Sequence, residues 1–160
     1  MAAVLITGIA VTNPKAAFGA GGTAKGTIKY KDKTVDLKYA YMIKAPDPFE
    51  EGKTSITVIL TPNDISQKIS ECQSASCADG ITEGMTVGKE DFGSTTRVVY
   101  WVVTNDGMMQ YSGNDDVSAL KLTTDSADKM AGKLTVDDSA AEGPKIEVEF
   151  DSPLTKEFKE

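Results

Sequence analysis

Residues 27–43 read TIKYKDKTVDLKYAYMI, and this stretch decides the fold class. Apolar and polar side chains alternate on both sides of a polar turn at residues 31–33, which is typical of a β-hairpin with one buried face. The apolar positions are Ile28 and Tyr30 before the turn and Val35, Leu37, Tyr39, Tyr41 and Ile43 after it, and we expect each set to share one buried face. Pro46 and Pro48 then end the second strand, because proline cannot donate to a ladder of hydrogen bonds.

Further strand patterns follow along the chain. They are predicted at residues 55–61, 97–104, 118–123, 133–136 and 145–150, and the apolar residues 2–11 are interpreted as the first strand. Residues 97–104 are apolar on both faces, which favours a central strand. The Asn-Asp-Gly sequence at residues 105–107 predicts a tight hairpin with residues 108–111. The last two predicted strands form a closing hairpin.

One short helix is predicted directly after the strand at residues 55–61. Thr61 offers an N-cap hydroxyl, Pro62 suits the first helical position, and Asp64 places a carboxylate in the first turn. Ile65 and Ile69 lie four residues apart and so share one face of this helix.

These elements predict a single all-β domain over residues 1–160. About eight strands with close turn signals and one short helix indicate an antiparallel β-sandwich of jelly-roll or immunoglobulin-like type, with a β-barrel as the alternative. Long amphipathic helices between the strands are missing, so a doubly wound α/β fold is not expected.

The composition limits the classes of function. The net charge is −7, and Arg97 is the only arginine among 17 basic residues, so nucleic acids and anionic membranes are not expected partners. The apolar run at residues 2–11 is too short for a membrane-spanning helix. The chain has no histidine, which excludes Ser-His-Asp and Cys-His nucleophiles and histidine-containing zinc sites. We predict no catalytic residue, no cofactor and no metal.

Cys72 and Cys77 flank a small polar loop and are expected to form a structural disulfide. Such a bridge indicates an oxidising compartment. A four-ligand zinc site would need further cysteines or histidines, and a redox pair usually has the spacing Cys-x-x-Cys beside a βαβ unit. Free thiols stay open as an alternative.

Four aspartates are the candidate ligands for a cation: Asp115, Asp116, Asp125 and Asp128. Carboxylates of this kind hold calcium when several of them converge. Neither these residues nor the pair at 137–138 have the spacing or the glycine of a calcium loop, and aspartate also favours turns through local hydrogen bonds. Ordinary turn roles are therefore expected.

Arg97 and the only tryptophan, Trp101, alternate onto one side of the predicted strand 97–104, with Tyr100 on the other side. The pair could contact a ligand, with the guanidinium stacked on the indole. We favour the alternative, in which Trp101 lies in the core and the stem of Arg97 runs along it.

Three other patterns are interpreted structurally. Residues 19–26 are glycine-rich without the order of a phosphate-binding loop, and are expected to be a flexible connection. Alternation with lysine and aspartate places the tyrosines at 30, 39 and 41 in the core rather than on an exposed carbohydrate-stacking platform. Glu147 and Glu149 share a solvated strand face, which does not favour a glycosidase pair.

Several segments resemble a group of uncharacterised bacterial exported proteins. The similar segments are residues 26–28, 35–41, 47–49, 132–134 and 150–151. The shared pattern is a Gly-x-hydrophobic start, a hairpin, an aromatic-rich second strand and a closing Phe-Asp. The resemblance implies export and a β fold, and it implies no catalytic residue and no activity. We expect a periplasmic or cell-envelope location, with a signal peptide already removed.

The leading hypothesis is a non-catalytic exported binding or structural module that acts through surface loops or an exposed strand edge. Its partner would be a protein or a small ligand, and oligomers could form through strand edges. An alternative is a β-barrel carrier of a small apolar ligand, its cavity lined by Met42, Met85, Met108, Met109, Trp101 and the tyrosines. A further alternative is a carboxylate-only hydrolase or a thiol redox protein.

Overall fold

The computed structural model describes residues 20–92, 95–104 and 109–159, and all strands in these ranges belong to one sheet. The strands are β1 (Gly22–Tyr30), β2 (Lys33–Pro46), β3 (Thr54–Thr61), β4 (Gly84–Phe92), β5 (Thr95–Thr104), β6 (Met109–Asp116), β7 (Leu120–Ser126), β8 (Lys129–Asp137) and β9 (Lys145–Glu157). Two short helices, α1 (Ser66–Glu71) and α2 (Ala75–Ala78), and 3₁₀ turns at Val117–Ala119 and Ser139–Ala141 complete the described elements.

The strands follow the order β6-β5-β4-β3-β2-β1-β9-β8-β7 across the sheet. These neighbours pair antiparallel, and the end of β9 adds a short parallel pairing with β2. The sheet is curled and open, with β6 and β7 as its two edges. The predicted all-β class and antiparallel arrangement are confirmed, with nine strands in the described ranges where about eight were expected.

The main core fills the inner face of this curl. Its fully buried aliphatic side chains include Ile28, Met42, Val58, Leu60, Met85, Val102, Leu134, Ile146 and Val148. Burial of each such aliphatic side chain stabilises the fold by about 1.5–3 kcal/mol before conformational entropy is counted. The closing hairpin of β8 and β9 is confirmed, and in β9 the apolar side chains face this core while the charged ones face solvent.

A second, smaller core lies on the outer face of β2 and β3. Tyr41, Ile43 and Ile59 form its floor, and α1 and α2 cover it with Ile69 and Ala78. The hydroxyl of Tyr41 donates to Asp64 Oδ1 at 2.7 Å and accepts from the amide of Ile65 at 3.0 Å, so the floor is tied to the residues that open α1. Burial raises the pKa of Tyr41, and its bond to the Asp64 carboxylate raises it further.

The end of α1 is held by a side chain from the far end of the chain. The ammonium of Lys156, on β9, donates to the carbonyl oxygens of Ile69 at 3.0 Å, Ser70 at 2.9 Å and Cys72 at 2.6 Å. These carbonyls lie where a helix has no partners of its own, and a cation is favoured at that end. Lys156 therefore fixes α1 to the sheet.

The expectation that five residues of β2 share one face is wrong. Val35 and Leu37 lie in the inner core, whereas Tyr39, Tyr41 and Ile43 contact the outer core. The change of face coincides with a register shift between β1 and β2, where Thr23 pairs with Tyr39 but Gly26 pairs with Leu37. Two residues of β1 lie opposite one residue of β2 at this shift, and β1 keeps Ala24, Ile28 and Tyr30 toward the inner core, so the strict alternation breaks in β2.

The predicted helix exists but begins later than expected. Thr61 stays in β3 and its hydroxyl donates to the carbonyl of Asn63 at 2.7 Å, so it does not cap the helix. Helix α1 starts at Ser66, whose amide donates to Asp64 Oδ1 at 2.8 Å. The second helix, α2, was not predicted.

Other sequence expectations have mixed outcomes. Pro46 ends β2 as predicted. The glycine-rich stretch at residues 19–26 is a strand from Gly22 onward, not a flexible connection. Hairpin β5–β6 is present, with Thr104 paired to Met109, while the turn at residues 105–107 and the apolar run at 2–11 lie outside the described residues.

Three tyrosines and an aspartate tie the two arms of the curled sheet together. The hydroxyl of Tyr100, on β5, donates to Asp138 in the β8–β9 connection, and Tyr111 donates to the same carboxylate oxygen at 3.3 Å. Tyr111 also stacks on Tyr100 and packs edge-on against Tyr30 of β1. A Cβ at Gly113 would lie 2.5 Å from the Tyr100 ring, so glycine is required for this approach.

Candidate functional site

The outer face of the sheet has two halves of different chemistry. On β1, β9 and β8 it carries charges in compensating pairs. Lys133 and Glu147 lie 2.7 Å apart, as do Lys145 and Asp137. The Lys145 ammonium, together with the Ser139 hydroxyl and amide, lowers the pKa of Asp137 to about 2. This half is an ordinary solvated surface.

The outer face of β3, β4 and β5 is different. Paired positions on antiparallel strands share a face. One row across the three strands is Ile59, Thr86 and Trp101, and the next is Thr57, Gly88 and Val99. None of these six side chains is ionisable. This part of the sheet is therefore a neutral, partly apolar floor.

A groove of about 560 Å³ lies on this floor. The 47–53 connection between β2 and β3 forms one wall, and Asp79, next to α2, lines it as well. The nearest atom to a Cβ placed at Gly88 would be the Ile56 carbonyl oxygen at 4.0 Å, so this glycine leaves open space above the strand. The volume suits a small ligand or a short segment of a larger one.

Two aromatic side chains are exposed in the groove. Trp101 is 44% exposed and Phe49 is 90% exposed, and these are the exposed large hydrophobic residues of the described ranges. Single exposed apolar residues are common, but two aromatic rings lining one groove are typical of a binding surface.

The wall that presents Phe49 is ordered by local hydrogen bonds. The amide of Asp47 donates to the carbonyl of Lys53 at 2.9 Å. Asp47 Oδ1 accepts from the amides of Phe49 at 2.8 Å and Glu50 at 3.0 Å, and Glu50 forms an ion pair with Lys53. The connection therefore holds a defined turn, with its phenylalanine outside the core.

Asp79 is positioned by the disulfide-closed segment. Cys72 and Cys77 are bridged, with their Cα atoms 5.5 Å apart, and the amide of Asp79 donates to the carbonyl of Ala75 at 2.9 Å. Ala78 is fully buried in the outer core, which anchors the neighbouring aspartate. Burial raises the pKa of the Asp79 carboxyl, and its own backbone amide and the ammonium of Lys68 oppose this shift only in part.

The sequence and the structure disagree on the place of Trp101. Tyr100 and Val102 are buried on the inner face of β5, as a core strand requires, but Trp101 is not in the core. The outer face of β5 is covered only in part, because Val103 is buried on this face whereas Trp101, two residues earlier, is exposed. Arg97 lies on the same strand, where its backbone is in register with Glu90 of β4 and with Asp116 of β6.

The four candidate cation ligands do not converge. Asp115 and Asp116 lie on β6, whereas Asp125 and Asp128 lie on and just after β7, and β6 and β7 are opposite edges in the strand order. Asp116 Oδ1 accepts from the amide of Ser118 at 2.8 Å, which is a local turn role. In the described ranges, no group of three or more histidine, cysteine or acidic residues could hold a metal ion.

A second depression, of about 600 Å³, lies at the β8–β9 connection. It is lined by Lys29, Lys31, Ser139, Glu142, Gly143 and Lys145. Because Lys145 is paired with Asp137 and Glu142 also lines the space, the depression is less cationic than its lysines indicate.

Sequence reasoning missed two groove residues, Phe49 and Asp79. A signal existed for Phe49, since a large aromatic residue inside the turn sequence Asp-Pro-Phe-Glu-Glu-Gly has no core face to join. No local signal marks Asp79, because its place in the groove depends on the packing of α2 against β2 and β3.

Searches of protein-family models, of curated proteins and of solved structures find no match for this chain. Among the described residues, no helix has both the length and the apolar character needed to cross a membrane. The groove itself therefore provides the basis for a proposal on function.

Proposed function

We propose that this protein is a non-catalytic exported binding module that holds its ligand in the groove on the outer face of β3, β4 and β5. The half-exposed Trp101 on the groove floor is the observation that carries this proposal. Its backbone is fixed on both sides by pairing with Thr86 and Ser112, so the ring stands on a rigid surface. A rigid aromatic anchor with an ordered wall loses little conformational entropy when a ligand binds.

The groove offers little for catalysis. Asp47 is occupied by two backbone amides and Glu50 by the ammonium of Lys53, so among the described lining residues Asp79 is the one carboxylate left, and it is half-buried. A carboxylate-only hydrolase needs two such groups placed across the substrate. The cysteines argue against a thiol redox role by their spacing, since a redox pair usually reads Cys-x-x-Cys beside a βαβ unit and the bridge here joins Cys72 to Cys77.

The apolar carrier is the weaker candidate. Met42 and Met85, expected to line its cavity, are fully buried in the inner core among aliphatic side chains. The arms of the curled sheet face each other across this core and are tied by the bond from Tyr100 to Asp138, which favours a sandwich-like fold over a closed carrier barrel. The disulfide favours an oxidising compartment, in agreement with export.

The proposal is tested by screening small-molecule and saccharide libraries with ligand-observed NMR and following the hits by calorimetry. We expect at least one ligand whose binding is lost in Trp101→Ala and in Gly88→Leu, which fills the open floor. Thr135→Leu is the matched control, because it adds the same side chain to an exposed position on the charged half of the outer face. Ligands that bind equally well to all three variants would refute the groove as the binding site.

Trp101 also supplies a direct signal, as it is the only tryptophan in the chain. Its fluorescence should be accessible to acrylamide in the free protein, and a bound ligand should protect it from quenching. A tryptophan shielded from acrylamide without ligand would contradict the exposed floor.

A further inference from the structure

We propose that the ligand of the groove carries an organic ammonium group, bound between the aromatic rings and the carboxylate of Asp79. This inference rests on the proposed binding function and specifies the chemical class of the ligand. Three observations support it. The charges that line the groove are mainly negative, Asp79 has no ion-pair partner among the described residues, and the rings of Phe49 and Trp101 are exposed.

The groove is acidic. Its charged lining residues, among those the structure describes, are Asp47, Glu50, Lys53 and Asp79. Lys53, the one cation of these four, is paired with Glu50, and Asp47 accepts two amides of its own turn. Asp79 is then the carboxylate left to meet a ligand, and an anion would be repelled by the net negative lining.

Asp79 has no salt bridge or side-chain hydrogen bond to another residue of the described ranges. The nearest cation on the neighbouring helix is Lys68, whose ammonium donates to the carbonyl of Gly80. The other charged groups that face the groove are those of the 47–53 wall. Asp79 is about half-buried, and the charged form of a half-buried carboxylate is stabilised when a cation approaches it.

The aromatic residues complete the recognition of a cation. The face of an indole ring attracts an ammonium group within about 6 Å, and the attraction grows when the site is shielded from water. The described floor positions nearest Trp101 are threonine, glycine and valine, and none of these side chains carries a charge that would compete with a ligand cation for the ring. A neutral sugar could use the same ring, but it would gain nothing from the acidic wall.

Choline and 3,3-dimethyl-1-butanol provide the decisive comparison, because they share one shape and only choline carries a charge. Calorimetry and Trp101 fluorescence at low ionic strength should show that choline binds at least about tenfold more tightly. Equal affinity for both probes would overturn the ammonium inference while leaving a binding groove intact. A ligand indifferent to Trp101→Ala would instead overturn the proposed function.

Asp79→Asn tests the carboxylate. We expect this variant to weaken choline binding about tenfold and to leave 3,3-dimethyl-1-butanol unchanged. Asp36→Asn, the same substitution at an exposed position of β2, should change neither. The affinity of wild-type protein for choline should also fall as the pH drops through the raised pKa of Asp79, whereas Asp79→Asn should show no such step. Unchanged choline affinity in Asp79→Asn would overturn the inference.

A last comparison separates the sources of the ammonium group. The blocked peptide acetyl-Gly-Lys-Gly-amide presents a lysine ammonium, and choline presents a free quaternary one. Tighter binding of choline indicates a small-molecule ligand, and tighter binding of the peptide indicates a basic segment of a partner protein. Failure of both, with groove-dependent binding of a neutral saccharide, would overturn the inference.

Discussion

Replacement of Lys156 by methionine should detach α1 from the sheet and destabilise the fold. Methionine keeps an unbranched apolar stem but removes the ammonium, with its three hydrogen bonds and its position 5.1 Å from the centre of the Phe158 ring. Hydrogen bonds from a charged donor contribute about 1.5–3 kcal/mol each when their partners cannot turn to water. Ser70 is exposed and its carbonyl can be rehydrated, whereas Ile69 and Cys72 are buried.

Two partly buried carbonyl oxygens therefore lose their partner in Lys156→Met, and we expect a loss of about 2–4 kcal/mol in the free energy of unfolding. Urea denaturation followed by circular dichroism measures this loss. Hydrogen exchange should show faster exchange of the α1 amides than of those in the inner core, because α1 becomes the weakest described unit on the sheet.

The matched control is Lys159→Met, which makes the same change at an exposed lysine three positions further along. Its effect should stay within about 0.5 kcal/mol. If Lys156→Met costs no more than this control, then the three hydrogen bonds do not hold α1, and the reasoning from buried carbonyls is wrong.

Three further predictions concern stability. Reduction of the disulfide should lower the free energy of unfolding by roughly 2 kcal/mol in the chain-entropy model, measured by urea denaturation with and without reductant, and an unchanged midpoint would contradict it. Asp138→Ala leaves two tyrosine hydroxyls without their acceptor and should cost about 2–4 kcal/mol, whereas Asp36→Ala on the solvated face should cost little. Burial raises the pKa of Tyr41 and Tyr100, so their neutral forms stabilise the fold fully below the ordinary tyrosine pKa of 10.0. Stability should therefore fall as the pH rises above about 10, and phenolate absorbance of these two should appear only with unfolding; earlier ionisation in the folded protein would contradict this.

The parts of the fold that local pattern decides were predictable from the sequence. Hairpins β1–β2 and β8–β9 were found because alternation and turn residues agree there. Strand β4 was missed because Gly88 and the charged run at residues 89–91 interrupt its alternation. The change of face within β2 was missed because the apolar alternation in its sequence continues through the register shift with β1, so no local signal marks the break.

The candidate site could be predicted only in part. Arg97 and Trp101 were selected as residues of one strand face, but the pattern of β5 is apolar on both sides and does not tell which side is covered. Which side of β5 is covered depends on the positions of the 47–53 connection and of α2, and long-range packing decides both positions. Trp101 is exposed because these segments border the floor rather than cover it.

The place of β1 in the sheet has a consequence for the order of folding. Strands β1 to β6 form one run of hairpins between sequence neighbours, and β7 to β9 form another. The pairing of β1 with β9 joins the two runs, and it brings together the first and the last described strands. Each run can assemble from local contacts, but the joint must wait until β9 has been synthesised. We expect closure of this joint to limit the folding rate, and a nascent chain that lacks β9 to expose the inner-core side chains that β9 covers.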